Sequence, residues 1–96
     1  YTVNIGLVRR RGPVLGLVYV PEQERLFAGV VGERAFVDDG EASRPIRVAP
    51  RREPMVVVAS KSHLNVATER YLAAAATGAI RVSVGSSLKF CLVAEG

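Results

Sequence analysis

From Thr2 to Val8 the chain alternates, with Val3, Ile5 and Leu7 on one face and Thr2, Asn4 and Gly6 on the other. A period of two predicts a half-buried strand. Arg10-Arg11-Gly12-Pro13 is turn chemistry, and Val14 to Val20 reads as a second strand stopped by Pro21, so the two form an antiparallel hairpin. Leu26 to Val31 predicts a third strand, with Gly29 as a bulge or a close approach of backbone. Gly32-Glu33-Arg34 turns the chain and Ala35 to Val37 is a short return. Asp38-Asp39-Gly40 through Arg44 reads as a loop, and Ile46 to Val48 as one more edge strand.

The pattern changes after the charged, proline-bounded stretch Pro50 to Pro54. Met55 to Ala59 is an unbroken apolar run, the mark of a strand covered on both faces. Ser62 or Asn65 can cap the helix that follows. It carries Leu64, Ala67, Thr68, Tyr71, Leu72 and Ala75 at helical spacing and ends near Gly78. Ile80 to Val84 is the next strand, and an apolar helix follows. The fold class is therefore α/β: an antiparallel β meander, then a strand–helix–strand–helix unit, with a boundary expected between residues 1–54 and 55–96.

Val82 to Glu95 carries the most chemistry. Gly85-Ser86-Ser87 turns strand into helix, and Ser86 or Ser87 can cap the helix. Such a turn gathers unpaired N–H groups and the positive end of a helix dipole at one spot, which suits a phosphate. Lys89, in the first turn, opposes that dipole and is the only charge between Arg81 and Glu95. Around it stand Leu88, Phe90, Cys91, Leu92, Val93 and Ala94, a helix apolar on all sides and so expected to be buried. A lysine in that setting calls for an anionic partner, a carboxylate elsewhere or a ligand phosphate. The plain alternative is a capped core helix whose lysine snorkels to solvent.

In an α/β unit, ligands gather beyond the carboxyl ends of the strands. Ser60-Lys61-Ser62-His63 and Gly85 to Lys89 both stand at such ends, and they face one crevice if the two strands are parallel neighbours. His63, the only histidine, is either a surface residue near a helix start or a contact to a phosphate or base alongside Ser60 and Ser62.

Composition narrows the choices. The single Cys91 excludes an internal disulfide and reads as a buried, inert thiol. One histidine and one cysteine without paired spacing do not make a zinc site. Nothing supplies a nucleophile elbow or a Walker-type phosphate loop. Asp38-Asp39-Gly40 and Glu95 read as a turn and a helix-end or surface carboxylate. The net charge of +4 comes from 11 arginines, clustered at Arg9-Arg10-Arg11 and at Arg44, Arg47, Arg51 and Arg52. No aromatic residues interleave with them as a nucleic-acid stacking platform needs, so they read as solvated loops. No apolar run is long enough to cross a bilayer.

Four blocks together resemble the inositol monophosphatase superfamily, and within it the CysQ-type 3'(2'),5'-bisphosphate nucleotidases. They are Thr2-Val3-Asn4-Ile5, Pro13 to Pro21, Ala59-Ser60-Lys61-Ser62-His63 and, most specific of all, Gly85 to Gly96. The resemblance runs over the whole chain in the right order. It implies a sugar-phosphatase αβαβα sandwich and a magnesium-dependent phosphomonoesterase, often lithium-sensitive, hydrolysing adenosine 3',5'-bisphosphate to AMP and phosphate. The setting would be sulfate assimilation and nucleotide recycling in the cytoplasm. Carried over by position, His63, Ser86 and Lys89 contact the nucleotide, with Ser60 and Ser62 beside them.

The family's metal-binding blocks are not in this sequence: an upstream glutamate, an upstream Asp-Pro-Leu/Ile-Asp-Gly-Thr and a downstream Trp-Asp. Tyr1 begins inside a strand pattern and Gly96 directly follows a helix, so the chain is expected to be an internal piece of a longer protein. As such it would lack catalytic residues and activity of its own, bind no metal, and associate or fold only marginally when isolated. Formation of a homo-oligomer stays open. The alternative within the superfamily is an inositol or histidinol phosphate phosphatase, whose branches usually lack the lysine at position 89. From another class, a non-catalytic basic binding module would draw on the arginines.

Overall fold

The computed structural model describes residues 1–60 and 64–96. Five strands follow one another as an antiparallel meander: β1 (Val3–Arg9), β2 (Gly12–Val20), β3 (Arg25–Val30), β4 (Ala35–Asp38) and β5 (Ser43–Ile46), in that spatial order. Arg10 and Arg11, at φ 51° and 66°, form the tip of the first hairpin. A two-residue hairpin turn of type I′ takes positive φ at both positions, and its twist matches that of the strands. Pro21 ends β2 in a single 3-10 turn, Pro21–Gln23.

Two sequence expectations shift here. The bulge lies in β1, between Leu7 and Val8, while Gly29 stays in register opposite Ala35. The last strand of the meander begins at Ser43, not Ile46, and Arg44 sits inside it opposite Val37. The two aspartates make this tighter return possible. Asp38 Oδ1 accepts from the Gly40 N–H at 2.7 Å, Asp39 Oδ1 accepts from Glu41 and Ala42, and the Ser43 hydroxyl donates to Asp38 at 2.6 Å. These bonds hold both carboxyls below their usual range. The aspartate pair is a turn.

One row of residues crosses all five strands: Asn4, Val18, Phe27, Val37 and Arg44 are successive cross-strand partners. Directly opposite residues share a face of a sheet. Helix α2 (Leu88–Glu95) lies over this row, and Cys91 packs with Val20, Phe27 and Val37 as the core, joined by Val18, Ile46 and Leu88. The core thus uses the face that carries Thr2 and Asn4. The face expected to be buried, with Val3, Ile5 and Leu7, is open, as are Tyr19 and Phe36. The expected burial of α2 on all sides is also only partial: Phe90 is 73% and Val93 57% exposed. An eight-residue helix on one sheet buries one stripe, whatever the polarity of the rest.

A second sheet pairs β6 (Val56–Ala59) with β7 (Ile80–Ser83), and α1 (Val66–Ala75) lies between them in the chain. Asn65 caps α1 by accepting from the Thr68 N–H at 2.8 Å. Glu69 of α1 pairs with Arg81 of β7 at 2.9 Å. The apolar run of β6 was expected to be covered on both faces, but only Ala59 is buried; every residue of β7 is exposed and Tyr71 of α1 points to solvent. Two strands and one helix cannot cover both faces of a parallel sheet. Among the described residues no helix is long and apolar enough to cross a membrane.

Candidate functional site

The site is set by how β6 and β7 pair. They are neighbours and parallel, in register from Val56–Ile80 to Ala59–Ser83, and the Val84 N–H extends the ladder to the Ala59 carbonyl at 3.0 Å. The chain therefore leaves both strands at the same edge, at half-buried Ser60 and at Val84-Gly85. The parallel pairing on which a shared crevice depends is therefore present, and of the first polar turn only Ser60 is described. Lys61, Ser62 and His63 lie outside the described residues.

The turn into α2 is built from strained backbone. Ser86 is at φ 56°, a left-handed conformation that a non-glycine residue adopts only where its surroundings hold it. Ser87 occupies the N-cap position, yet the expected side-chain cap is absent and its backbone is already helical. Its hydroxyl is engaged by β1 instead. Ser87 Oγ donates to Asn4 Oδ1 at 2.6 Å, which leaves it to accept from the Thr2 hydroxyl at 2.7 Å. Asn4 Nδ2 donates to Thr2 Oγ1 at 3.1 Å. Each of the three side chains gives one hydrogen bond and takes one, in a closed ring.

Lys89 curls back on the same turn, its Nζ donating to the Ser86 carbonyl at 2.7 Å. Among the described residues its ammonium pairs with no carboxylate: the ion pairs there are Arg25 and Arg44 with Glu95, Arg51 with Glu53, and Arg81 with Glu69. An ammonium and the positive end of α2 thus stand together at one turn. Beside it is a cleft of about 140 Å³ lined by Tyr1, Thr2, Glu22, Gly85, Ser86 and Leu88. That is below the ~300 Å³ at which small-molecule pockets begin, so it has room for one small group and not for a whole nucleotide; Glu22 lines it and Lys89 stands outside its lining.

The other end of α2 is held by charge. Glu95, expected as a helix-end or surface carboxylate, has a side chain only 16% exposed and is gripped by two arginines. Arg25 meets it through both nitrogens, Nη1 to Oε1 at 3.2 Å and Nη2 to Oε2, and Arg44 Nη2 reaches Oε2 at 3.0 Å. The hydrogen bond from Arg25 holds the carboxyl below its usual range, against burial. Arg25 also stacks on Phe27, 4.7 Å from the ring centre. Arg44 is therefore an exposed strand residue paired with a carboxylate, not part of a loop. Burial pushes the Cys91 thiol up.

Among the described residues, no three His, Cys, Asp or Glu side chains stand close enough together to hold a metal ion. Asp38 and Asp39 are committed to their turn. A magnesium site does not fit these residues.

Family comparison places the chain. The model of the inositol monophosphatase family matches residues 1–96. The chain belongs to the inositol monophosphatase family. It is 38% identical over 96 residues to the 3'(2'),5'-bisphosphate nucleotidase CysQ of Escherichia coli K12, and 40% identical to the CysQ of Salmonella typhimurium. In both comparisons all of this chain is covered, and it spans 38% of the relative's length. A crystal structure of CysQ from Bacteroides thetaiotaomicron, a bacterial member of the inositol monophosphatase family, superposes with a TM-score of 0.85 at 37% identity. That match covers 99% of this chain and 42% of the other. The meander followed by a strand–helix unit is thus this family's fold.

Sequence reasoning brought Ser86 and Lys89 to one turn but missed what holds that turn. Thr2 and Asn4 share a face with a period of two, a signal that was visible in a strand expected to be half-buried. The Glu95 contacts, 70 and 51 residues away in the chain, left no local trace.

Proposed function

We propose that the full-length protein is a phosphomonoesterase that hydrolyses adenosine 3',5'-bisphosphate to AMP and phosphate, and that this chain forms one wall of its substrate pocket. The observation that carries the reading is the turn at Gly85–Lys89: an ammonium without a carboxylate partner among the described residues, at the positive end of a helix, beside the shared edge of two parallel strands. The similarity to bisphosphate nucleotidases over the whole chain supports the choice of substrate.

In this reading Lys89 keeps its bond to the Ser86 carbonyl and gives its charge and a second N–H to a substrate phosphate. Ser86 offers its hydroxyl to the same group, and Ser60, Ser62 and His63 would contribute further contacts to the nucleotide. Magnesium would activate the attacking water and shield the phosphate charge. Its ligands would come from segments outside residues 1–96, because the described residues fit no metal. Residues 1–54 would then close a first, antiparallel domain and residues 55–96 open a second, with α2 packed back across the join. The open sheet faces around Ile5, Leu7 and Ile80 are surfaces for the rest of such a protein to cover. The location would be cytoplasmic.

The test is phosphate release by the full-length protein with magnesium, offered adenosine 3',5'-bisphosphate and inositol 1-phosphate side by side. A clear preference for the nucleotide is expected. A preference for inositol 1-phosphate would keep the family and overturn the substrate.

A further inference from the structure

The row Asn4–Val18–Phe27–Val37–Arg44 has apolar side chains in the middle and a polar one at each end. Helix α2 lies along it. Cys91 covers the apolar centre, Ser87 at the helix start bonds to Asn4 on the first strand, and Glu95 at its last turn bonds to Arg44 on the fifth. The helix is a bar across the sheet, pinned at both ends.

The two pins differ in what they control. The Glu95 pin fixes a helix end with no candidate substrate contact. The Asn4 pin grips the residue directly after Ser86, whose φ of 56° has to be held by something. With the Ser87 hydroxyl committed to Asn4 and Thr2, the peptide between Ser86 and Ser87 is fixed from the sheet side. Lys89 is three residues on from Ser86 and bonded to its carbonyl, so it is set by the same anchor.

We propose that Asn4 is a positioning residue, which acts through Ser87 to hold Ser86 and Lys89 in the geometry that receives the substrate's phosphate. This rests on the reading of Gly85–Lys89 as a substrate-contacting turn. Asn4 touches no substrate itself, and its effect is on substrate choice.

The experiment measures the ratio of kcat/KM for adenosine 3',5'-bisphosphate to that for inositol 1-phosphate in the full-length protein. The variants are Asn4→Ala, Ser87→Ala, the double Asn4→Ala/Ser87→Ala, and Lys89→Ala as control, each with its thermal midpoint. Loss of one well-formed hydrogen bond corresponds to about fivefold. Asn4→Ala and Ser87→Ala should therefore each lower the ratio about fivefold through KM for the nucleotide. The double variant should lower it no further, because both changes break the same link. Multiplied effects in the double variant, or ratios that follow the thermal midpoint alone, would overturn the proposal. A lowered ratio in Lys89→Ala with an unchanged ratio in Asn4→Ala would overturn it while leaving the turn's role intact. An unchanged ratio in Lys89→Ala would remove that role and the proposal together. If Asn4→Ala does not fold, Thr2→Val tests the same ring, since it keeps the side chain's shape and removes both the donor to Ser87 and the acceptor for Asn4.

Discussion

Arg25 and Glu95, 70 residues apart, meet fork to fork, with Nη1 on Oε1 at 3.2 Å and Nη2 on Oε2. Their side chains are 22% and 16% exposed, while that of Arg44, the second arginine on the same carboxylate, is 59% exposed. The two arginines should therefore differ in weight. Exposed pairs contribute under about 1 kcal/mol, and breaking a fully buried one costs about 3–5 kcal/mol. Arg25→Ala should destabilise the full-length protein by about 2 kcal/mol, including its lost stacking on Phe27, and Arg44→Ala by less than about 0.5 kcal/mol. Urea unfolding of the two variants checks the order; equal effects would mean that the fork carries no special weight.

The same contact sets a pH dependence. Glu95 is held below its ordinary value of about 4.5, so its contribution is fully present above that value and is lost as the pH falls through the lower folded one. Glu95→Gln should therefore be less stable than the parent at pH 7 and approach it as the pH falls below 4.5. Unfolding midpoints across that range should converge on acidification. A constant gap would show that the charge of Glu95 does not matter.

Cys91 lies in the core, with its thiol pushed up by burial. In the native protein at pH 8 it should react with a disulfide reagent at least about tenfold more slowly than in urea. Reaction at the unfolded rate would mean that α2 detaches readily from the sheet.

If the metal ligands lie in other segments, the isolated 96-residue chain should release no phosphate from either substrate, with or without magnesium. Release above a no-protein control would show that catalytic groups are present in this chain after all.

Alternation and turn residues made the meander legible, together with the order of elements after Pro54. The side-chain burial was less so. The period of β1 separates two faces but does not say which one meets α2. Val3, Ile5 and Leu7 are the more apolar set, yet the helix lies on the side of Thr2 and Asn4, where Asn4 meets the helix start. The start of the fifth strand was hidden because Asp38 and Asp39 look like loop residues until their bonds to Gly40, Ala42 and Ser43 are seen to close a tight return. At the candidate site, the Gly-Ser-Ser turn and Lys89 were readable because strand, turn and helix are contiguous. The ring through Ser87 was not, because its other members stand 83 and 85 positions away.

The most direct test of the central claim is the substrate selectivity of the full-length protein with magnesium, wild type against Lys89→Ala. A lysine that pairs with the second phosphate of the nucleotide should matter for adenosine 3',5'-bisphosphate and far less for inositol 1-phosphate. The account predicts that Lys89→Ala lowers the preference for the nucleotide about tenfold or more, in keeping with a charge-assisted contact of about 1.5–3 kcal/mol. An unchanged preference would contradict it and reduce Lys89 to a first-turn lysine bonded to its own backbone.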